Sequence, residues 1–174
     1  PIKMETSETK EGNILENQMF CYQCQEAMKG VGCMSRGICG KNAEVAKLQD
    51  LLLYTLKGIS IFSVPAREKG IVMPEVDRFI MDGLFTTVTN TNFDANVFVE
   101  RIRKGQELRE QMQKAYMEEG GAIPVPIPDA AVFNAGDEDA MLAKAEKIGV
   151  LATENEDIRS LRETLIYGLK GIAA

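Results

Sequence analysis

The chain has 174 residues, of which 45% are apolar and 26% are charged, and its formal net charge is −6. That composition is ordinary for a globular domain, and an acidic chain without a dominant basic patch is not expected to bind nucleic acid. Histidine is absent, which excludes Ser-His-Asp and Cys-His catalysis, histidine-bound zinc and haem held by histidine. No apolar run approaches the roughly 18 residues of a membrane span.

The first segment, residues 1–18, is polar and rich in Glu, Thr, Lys and Asn, which predicts a flexible leader. It lacks the apolar core of a secretion signal, so we expect the protein to be cytoplasmic. In that reducing compartment, closely spaced cysteines bind metal more often than they form disulfides.

All four cysteines fall within the next segment, residues 19–41, which we predict to be a cysteine-rich cluster-binding loop. Their spacing is C-x2-C-x8-C-x5-C, and they occupy a window of 19 residues. Four thiols this close together, with no other cysteine to pair with, indicate a single metal or cluster site. The predicted ligands are Cys21, Cys24, Cys33 and Cys39.

The rest of the chain predicts an all-α fold of up-down helices, because apolar residues recur at spacings of three and four. Residues 42–119 form the first predicted bundle. Asn42 is placed to cap its first helix, which Pro65 should end or kink near Ser63. The predicted helices of this bundle span residues 42–63, 75–89 and 95–118.

A second helical part follows residues 120–136, a proline-rich linker in which alternating prolines favour extended backbone. Residues 137–174 form the second predicted helical segment. Asp137 should cap a helix over 138–147, and Asn155 should cap the last helix. Because the chain stops inside that helix, we expect the second segment to be truncated.

A repeat links the two parts. Leu161–Ala173 matches Leu48–Ser60 at seven of thirteen positions, including a shared Tyr-x-Leu-Lys-Gly-Ile. The match predicts two related helical sub-bundles. Glycine is unfavourable inside a helix by roughly 1 kcal/mol, so Gly58 and Gly171 are predicted to be points of close helix–helix contact.

The cysteine spacing favours a [4Fe–4S] cluster, which takes four thiolate ligands. The two-residue gap puts two sulfurs on one turn, and the longer gaps let the loop supply the other two. With every iron bound by the protein, such a cluster transfers electrons and does not bind substrate. Lys29, Arg36 and Lys41 flank the segment, either to offset the negative charge of a thiolate cluster or as solvated surface charges.

Zinc is the alternative, because four thiolates also suit a tetrahedral zinc ion. A zinc ribbon has two C-x2-C knuckles and this chain has one. A C-x8-C-x5-C-x3-H finger would need histidine where Ala43 stands. The residues alone therefore leave open a zinc-stapled helical interaction module without redox activity, and also disulfides or inert thiols.

Several of these motifs resemble the hybrid cluster proteins, also called prismane proteins or hydroxylamine reductases. The resemblance covers residues 19–174 and includes segments of the predicted helices as well as the cysteines. The segments that carry it are Met19–Glu26, Gly32–Cys33, Gly37–Lys41, Leu48–Leu52, Gly149–Asp157 and Leu165–Gly171.

This resemblance implies that the four cysteines ligate a [4Fe–4S] cluster near the protein surface. It also implies a parent oxidoreductase that reduces hydroxylamine to ammonia, or nitric oxide, at a hybrid iron–sulfur–oxygen cluster. The ligands of that second cluster include a histidine and further cysteines, and this chain has no histidine and no fifth cysteine. The chain is therefore expected to be the N-terminal electron-transfer part, supplied by an unknown electron donor protein and inactive by itself.

Overall fold

The computed structural model describes residues 19–89 and 92–174, so the predicted leader at 1–18 lies outside the described residues. Helices dominate the described residues, and no strand occurs there beyond one isolated bridge. The predicted all-α fold with an N-terminal cysteine-rich segment is confirmed. The helices are α1 (Ala43–Glu68), α2 (Pro74–Thr89), α3 (Ala95–Glu118), α4 (Glu138–Ile148) and α5 (Glu156–Ala173).

Three predicted helix starts are confirmed by side-chain caps. The Asn42 side chain accepts a hydrogen bond from the Val45 amide at 2.9 Å. Asp137 accepts one from the Ala140 amide at 2.8 Å, and Asn155 accepts one from the Ile158 amide at 3.0 Å. Each cap satisfies a backbone N–H that the first turn of a helix leaves without a partner.

The predicted end of the first helix near Ser63 is wrong, because α1 continues through Pro65 to Glu68. Proline lacks a backbone N–H and is unfavourable in a helix interior by about 3 kcal/mol or more. Tertiary packing outweighs that penalty here, since Phe62 and Ala66, on either side of the proline, are both fully buried in the core.

The core lies between α1 and α3, the two longest helices, and α2 and α4 pack against α1. Met141 and Ala145 place α4 in the same core as the first three helices. Arg109 ties the 3-10 turn Asp129–Ala131 and the residues after it to α3, since its guanidinium donates to the Ala130 carbonyl at 3.3 Å and to the Asn134 side chain at 2.6 Å. The division of the chain at residues 120–136 stays a prediction.

The two repeats differ in their surroundings. Leu48, Leu52 and Ile59 of α1 are fully buried, while their counterparts in α5 form an exposed stripe. Those counterparts are Leu161, Leu165 and Ile172, which are 71%, 64% and 78% exposed. The same apolar residues thus face the core in α1 and face solvent along much of α5.

The repeated glycines differ in the same way. A Cβ added at Gly58 would lie 2.1 Å from the carbonyl oxygen of Ala130, so this glycine lets α1 approach the backbone of the 3-10 turn. The predicted close contact exists. Its nearest partner is the backbone of the 3-10 turn, and the Arg109 side chain of α3 lies 3.4 Å from the same Cβ. For Gly171 the prediction is wrong, because no other part of the described residues lies within 4 Å of an added Cβ.

Candidate metal centre

The first and third cysteines form an isolated antiparallel bridge. The Cys21 amide donates to the Cys33 carbonyl at 3.0 Å, and the Cys33 amide donates back at 3.0 Å. Residues paired in this way carry their side chains on the same face of the ladder. Both cysteines are buried, at 6% and 4% exposure, so the bridge fixes two thiols side by side in the interior.

Glycine and phenylalanine shape the bridge. Gly32 has a φ of 150°, and a Cβ added there would lie 2.6 Å from the Phe20 ring. The ring therefore packs directly on the backbone that precedes Cys33. A larger residue at position 32 would displace Phe20, which itself precedes Cys21.

The second and fourth cysteines lie in turns on either side of the bridge. Cys24 is half-buried, and its carbonyl accepts a hydrogen bond from the Ala27 amide at 3.3 Å. Cys39 is exposed in a tight turn that the Gly37 amide closes on the Lys41 carbonyl at 2.9 Å. The Cys39 sulfur lies against Gly37, where an added Cβ would meet it at 3.0 Å. The four thiols therefore run from the interior to the outer edge of the segment.

Lys41 is the flanking cation that reaches a thiol. It is 1% exposed, its ammonium lies 3.7 Å from the Cys21 sulfur, and it donates to the Gln49 side-chain oxygen. Burial raises the pKa of the Cys21 thiol, and the nearby Lys41 ammonium opposes that rise. Lys29 and Arg36, the other two predicted cations, are exposed.

A second buried lysine joins the last helix to the cysteine segment. Lys170 of α5 is 2% exposed, and its ammonium donates to the Gln23 backbone oxygen at 2.9 Å and to the Gln23 side-chain oxygen. The Gln23 amide in turn donates to Asp50 of α1. Burial lowers the pKa of Lys170 to about 8, an effect that Asp50 opposes, and burial raises the pKa of Asp50 to about 7.

Sequence reasoning missed Gln23 and Lys170 as parts of the site. The available signal was the Lys-Gly step of the repeat, which Lys170 shares with Lys57. The repeated Lys-Gly pair draws attention to Lys170, but it does not reveal that the Lys170 ammonium donates to Gln23, 147 positions away.

Two buried hydrogen-bond donors near the cysteines have no partner among the described residues. One is the Gln49 side-chain nitrogen, whose amide oxygen is held by Lys41. The other is the hydroxyl of Tyr167, whose ring lies 6.5 Å from the Tyr22 ring between centroids. The pKa of Tyr167 is raised to about 12, mainly by burial and next by the charge of Cys24, so the hydroxyl keeps its proton.

The described cysteines are not gathered around the position of a single ion. Within residues 19–89 and 92–174, no three His, Cys, Asp or Glu side chains lie close enough to hold one metal ion. Tetrahedral zinc, with Zn–S bonds of about 2.3 Å, would bring its sulfurs to within about 3.8 Å of one another. A buried ammonium and partnerless donors beside the cysteines are features that an anionic group held by thiolates would use.

Comparison with known proteins agrees with the motifs. Residues 19–174 match the Prismane/CO dehydrogenase family along their whole length. The chain belongs to that family. The family membership expected from the cysteine and helix motifs is thereby confirmed, and the match extends through α5 to the last residue.

Among the relatives of this Prismane/CO dehydrogenase chain is a hydroxylamine reductase of Desulfitobacterium hafniense strain Y51, 54% identical over 156 residues. Others are hydroxylamine reductases of Clostridium tetani and Clostridium botulinum strain Kyoto, 48% and 46% identical over 179 residues. Each alignment covers 90% of this chain but only 28% or 31% of the relative. The chain thus spans less than a third of these relatives. No helix in the described part of the chain is long and apolar enough to cross a membrane.

Proposed function

We propose that Cys21, Cys24, Cys33 and Cys39 hold a [4Fe–4S] cluster and that this chain is the electron-entry part of a hydroxylamine reductase. The observation that carries the proposal is the buried Lys41 ammonium, 3.7 Å from the Cys21 sulfur. A buried cation is strongly unfavourable unless an anion accompanies it. A cluster held by four thiolates supplies that negative charge.

The cysteines would each bind one iron, which leaves no iron open to a substrate and gives the site an electron-transfer role. Their arrangement supports electron entry from outside. Cys39 is exposed and Cys24 is half-buried, so one edge of the site faces solvent, where a donor protein can approach. Cys21 and Cys33 close the site on the side of α1, where Ala46 packs against them.

The substrate proposal comes from the relatives, which are named hydroxylamine reductases. Reduction of hydroxylamine breaks its N–O bond and consumes two electrons and two protons, giving ammonia and water. A [4Fe–4S] cluster carries one electron at a time, so the cysteine site would pass electrons twice per turnover. The bond-breaking centre would lie in the remaining part of a longer protein, because its histidine and additional cysteine ligands do not occur in this sequence.

Metal and acid-labile sulfide analysis after anaerobic purification tests the cluster. We expect about four irons and four sulfides per chain, and a visible absorption band that dithionite bleaches. Cys24→Ser should lose most of the iron, while Ser35→Ala, a change at an exposed position of the same segment, should retain it. One zinc per chain without sulfide would refute the proposal and establish the zinc-stapled module.

Activity measurements test the proposed division of labour. The loaded chain should be reduced by methyl viologen radical and reoxidised by a non-specific acceptor such as ferricyanide. It should not convert hydroxylamine to ammonia. Ammonia formation by this chain alone would contradict the placement of the bond-breaking centre outside it.

A further inference from the structure

We infer that the Tyr167 hydroxyl of α5 donates a hydrogen bond to a sulfur of the group held by the four cysteines, and that it raises the reduction potential of that group. The inference rests on the proposed cluster and assigns a positioning role to a residue outside the cysteine segment. A donor to a cluster sulfur favours the more negative, reduced state, and hydrogen bonding of this kind is one of the factors that set cluster potentials.

The position of the ring is the first support. The Tyr167 ring lies 6.5 Å from the Tyr22 ring, inclined to it by 50°, and Tyr22 lies between Cys21 and Cys24 in the chain. Both tyrosines line a cavity of about 1040 Å³ whose walls include residues of the cysteine segment and of α5. Tyr167 therefore lies beside the turn that carries the first two cysteines.

Lys170 fixes that position. Residues three apart on a helix share a face, so Tyr167 and Lys170 both face the cysteine segment. The Lys170 ammonium donates to the Gln23 backbone oxygen at 2.9 Å, one residue from Cys24. This buried contact holds the end of α5 against Gln23, which lies between Cys21 and Cys24. It therefore keeps Tyr167 close to the same turn.

The hydroxyl itself is the second support. It is buried and has no hydrogen-bond partner among the described residues. A buried polar group without a partner is unfavourable, and buried hydroxyls in native proteins are rarely left in that state. A thiolate or sulfide at the cysteine site would supply the missing acceptor.

The repeat provides an internal comparison. Tyr54 occupies the same position in the first repeat, and its hydroxyl donates to the carboxylate of Asp129. Asp129 thus provides the Tyr54 hydroxyl with a hydrogen-bond acceptor, which the Tyr167 hydroxyl lacks among the described residues. The two tyrosines have the same place in the repeated sequence, and the cysteine site supplies the acceptor that we assign to Tyr167.

The test compares the reduction potentials of wild type, Tyr167→Phe and Tyr54→Phe by anaerobic redox titration of reconstituted protein. We expect Tyr167→Phe to keep its iron and sulfide and to titrate at a lower potential than wild type. Tyr54→Phe, which loses only the bond to Asp129, should titrate with the wild type. An unchanged potential in Tyr167→Phe would overturn the inference.

Two further results separate the possible failures. If wild type binds no iron and sulfide, the proposed function itself fails, and the inference fails with it. Tyr167→Gln returns a donor to the position and should recover part of the lost potential. If Tyr167→Gln titrates with Tyr167→Phe, donation of a hydrogen bond from this position does not set the potential, and the inference is refuted.

Discussion

At the scale of single residues, the site is organised by two buried lysines, each held by a glutamine. Lys41 bonds the side chain of Gln49, and Lys170 bonds the side chain of Gln23. Lysine is almost never fully buried unless it is paired. A neutral glutamine satisfies part of the hydrogen bonding of an ammonium but none of its charge. The carboxyl of Asp50 acts on both lysines, and Lys41 also faces the Cys21 sulfur, where the proposed cluster would supply further negative charge.

Lys41→Met should weaken retention of the cluster. The attraction between two opposite unit charges about 4 Å apart is about 4 kcal/mol at an effective dielectric constant of 20. Each 1.4 kcal/mol of lost attraction corresponds to a factor of ten in an equilibrium constant. We therefore expect iron to be lost to a chelator more than tenfold faster than in wild type. Arg36→Met removes an exposed cation of the same segment and should change the rate little. Equal rates in the two variants would show that burial of the charge is irrelevant.

The cysteines could be proposed as ligands from the sequence because four thiols within 19 residues are typical of a metal or cluster site. Lys41 could be named because it lies two residues after Cys39. Lys170 and Tyr167 could not be chosen, because their role depends on how α5 packs, and no local pattern connects them to residues 22–24. Non-local polar contacts of this kind require the folded chain.

At the scale of elements, α1 and α5 show how one repeated sequence serves two environments. Leu52 of α1 is fully buried, whereas its counterpart Leu165 is 64% exposed. Helix starts were predictable because caps are local, as at Asn42 and Asn155. The end of α1 was not, because burial of Ala66 overrides the local effect of Pro65.

The glycine pair gives a direct test of that difference. Gly58→Ala should destabilise the chain by about 1–3 kcal/mol, the usual range for overpacking, because its Cβ would lie 2.1 Å from the Ala130 oxygen. Gly171→Ala is the same change in the second repeat, and its Cβ would meet no described residue within 4 Å. It should stabilise α5 by up to about 1 kcal/mol through helix propensity. Urea denaturation measures both. Effects of the same sign would contradict the packing described for Gly58.

At the scale of the whole molecule, two apolar clusters share α1. The main cluster joins α1 to α2, α3 and α4, while a small one holds Met19, Cys21 and Cys33 against Ala46. The small cluster buries few side chains, so the cysteine segment has little packing of its own. The helices have a core that does not depend on the cysteines.

Removal of the metal should therefore loosen the cysteine segment and leave the helices folded. We expect far-UV circular dichroism to change little after chelation. Limited trypsin digestion should then cut faster at Lys29 and Arg36, which are exposed in the segment. Loss of helical signal together with the metal would show that the two clusters form one cooperative unit.

Burial of Asp50 and Lys170 in the metal-free chain predicts a minimum of stability between pH 7 and 8. Because burial raises the pKa of Asp50 from 3.8 to about 7, the folded chain binds more protons than the unfolded chain between those values. Its stability falls there as pH rises, by up to about 1.4 kcal/mol per pH unit. Burial lowers the pKa of Lys170 from 10.5 to about 8, so the unfolded chain binds more protons in that range and stability recovers as pH rises.

Two variants separate the two arms of this profile. Asp50→Asn stays neutral, so its free energy of unfolding should rise relative to wild type between pH 4 and 7 and run parallel to it above pH 8. Lys170→Met should flatten only the recovery above pH 8. Urea denaturation at a series of pH values measures both differences, and contributions from the other titrating groups cancel in the comparison. If the free energy of unfolding of Asp50→Asn ran parallel to that of wild type between pH 4 and 7, Asp50 would ionise alike in the folded and unfolded chains. The group that accepts the hydrogen bond from Gln23 would then be an ionised carboxylate, which contradicts this prediction.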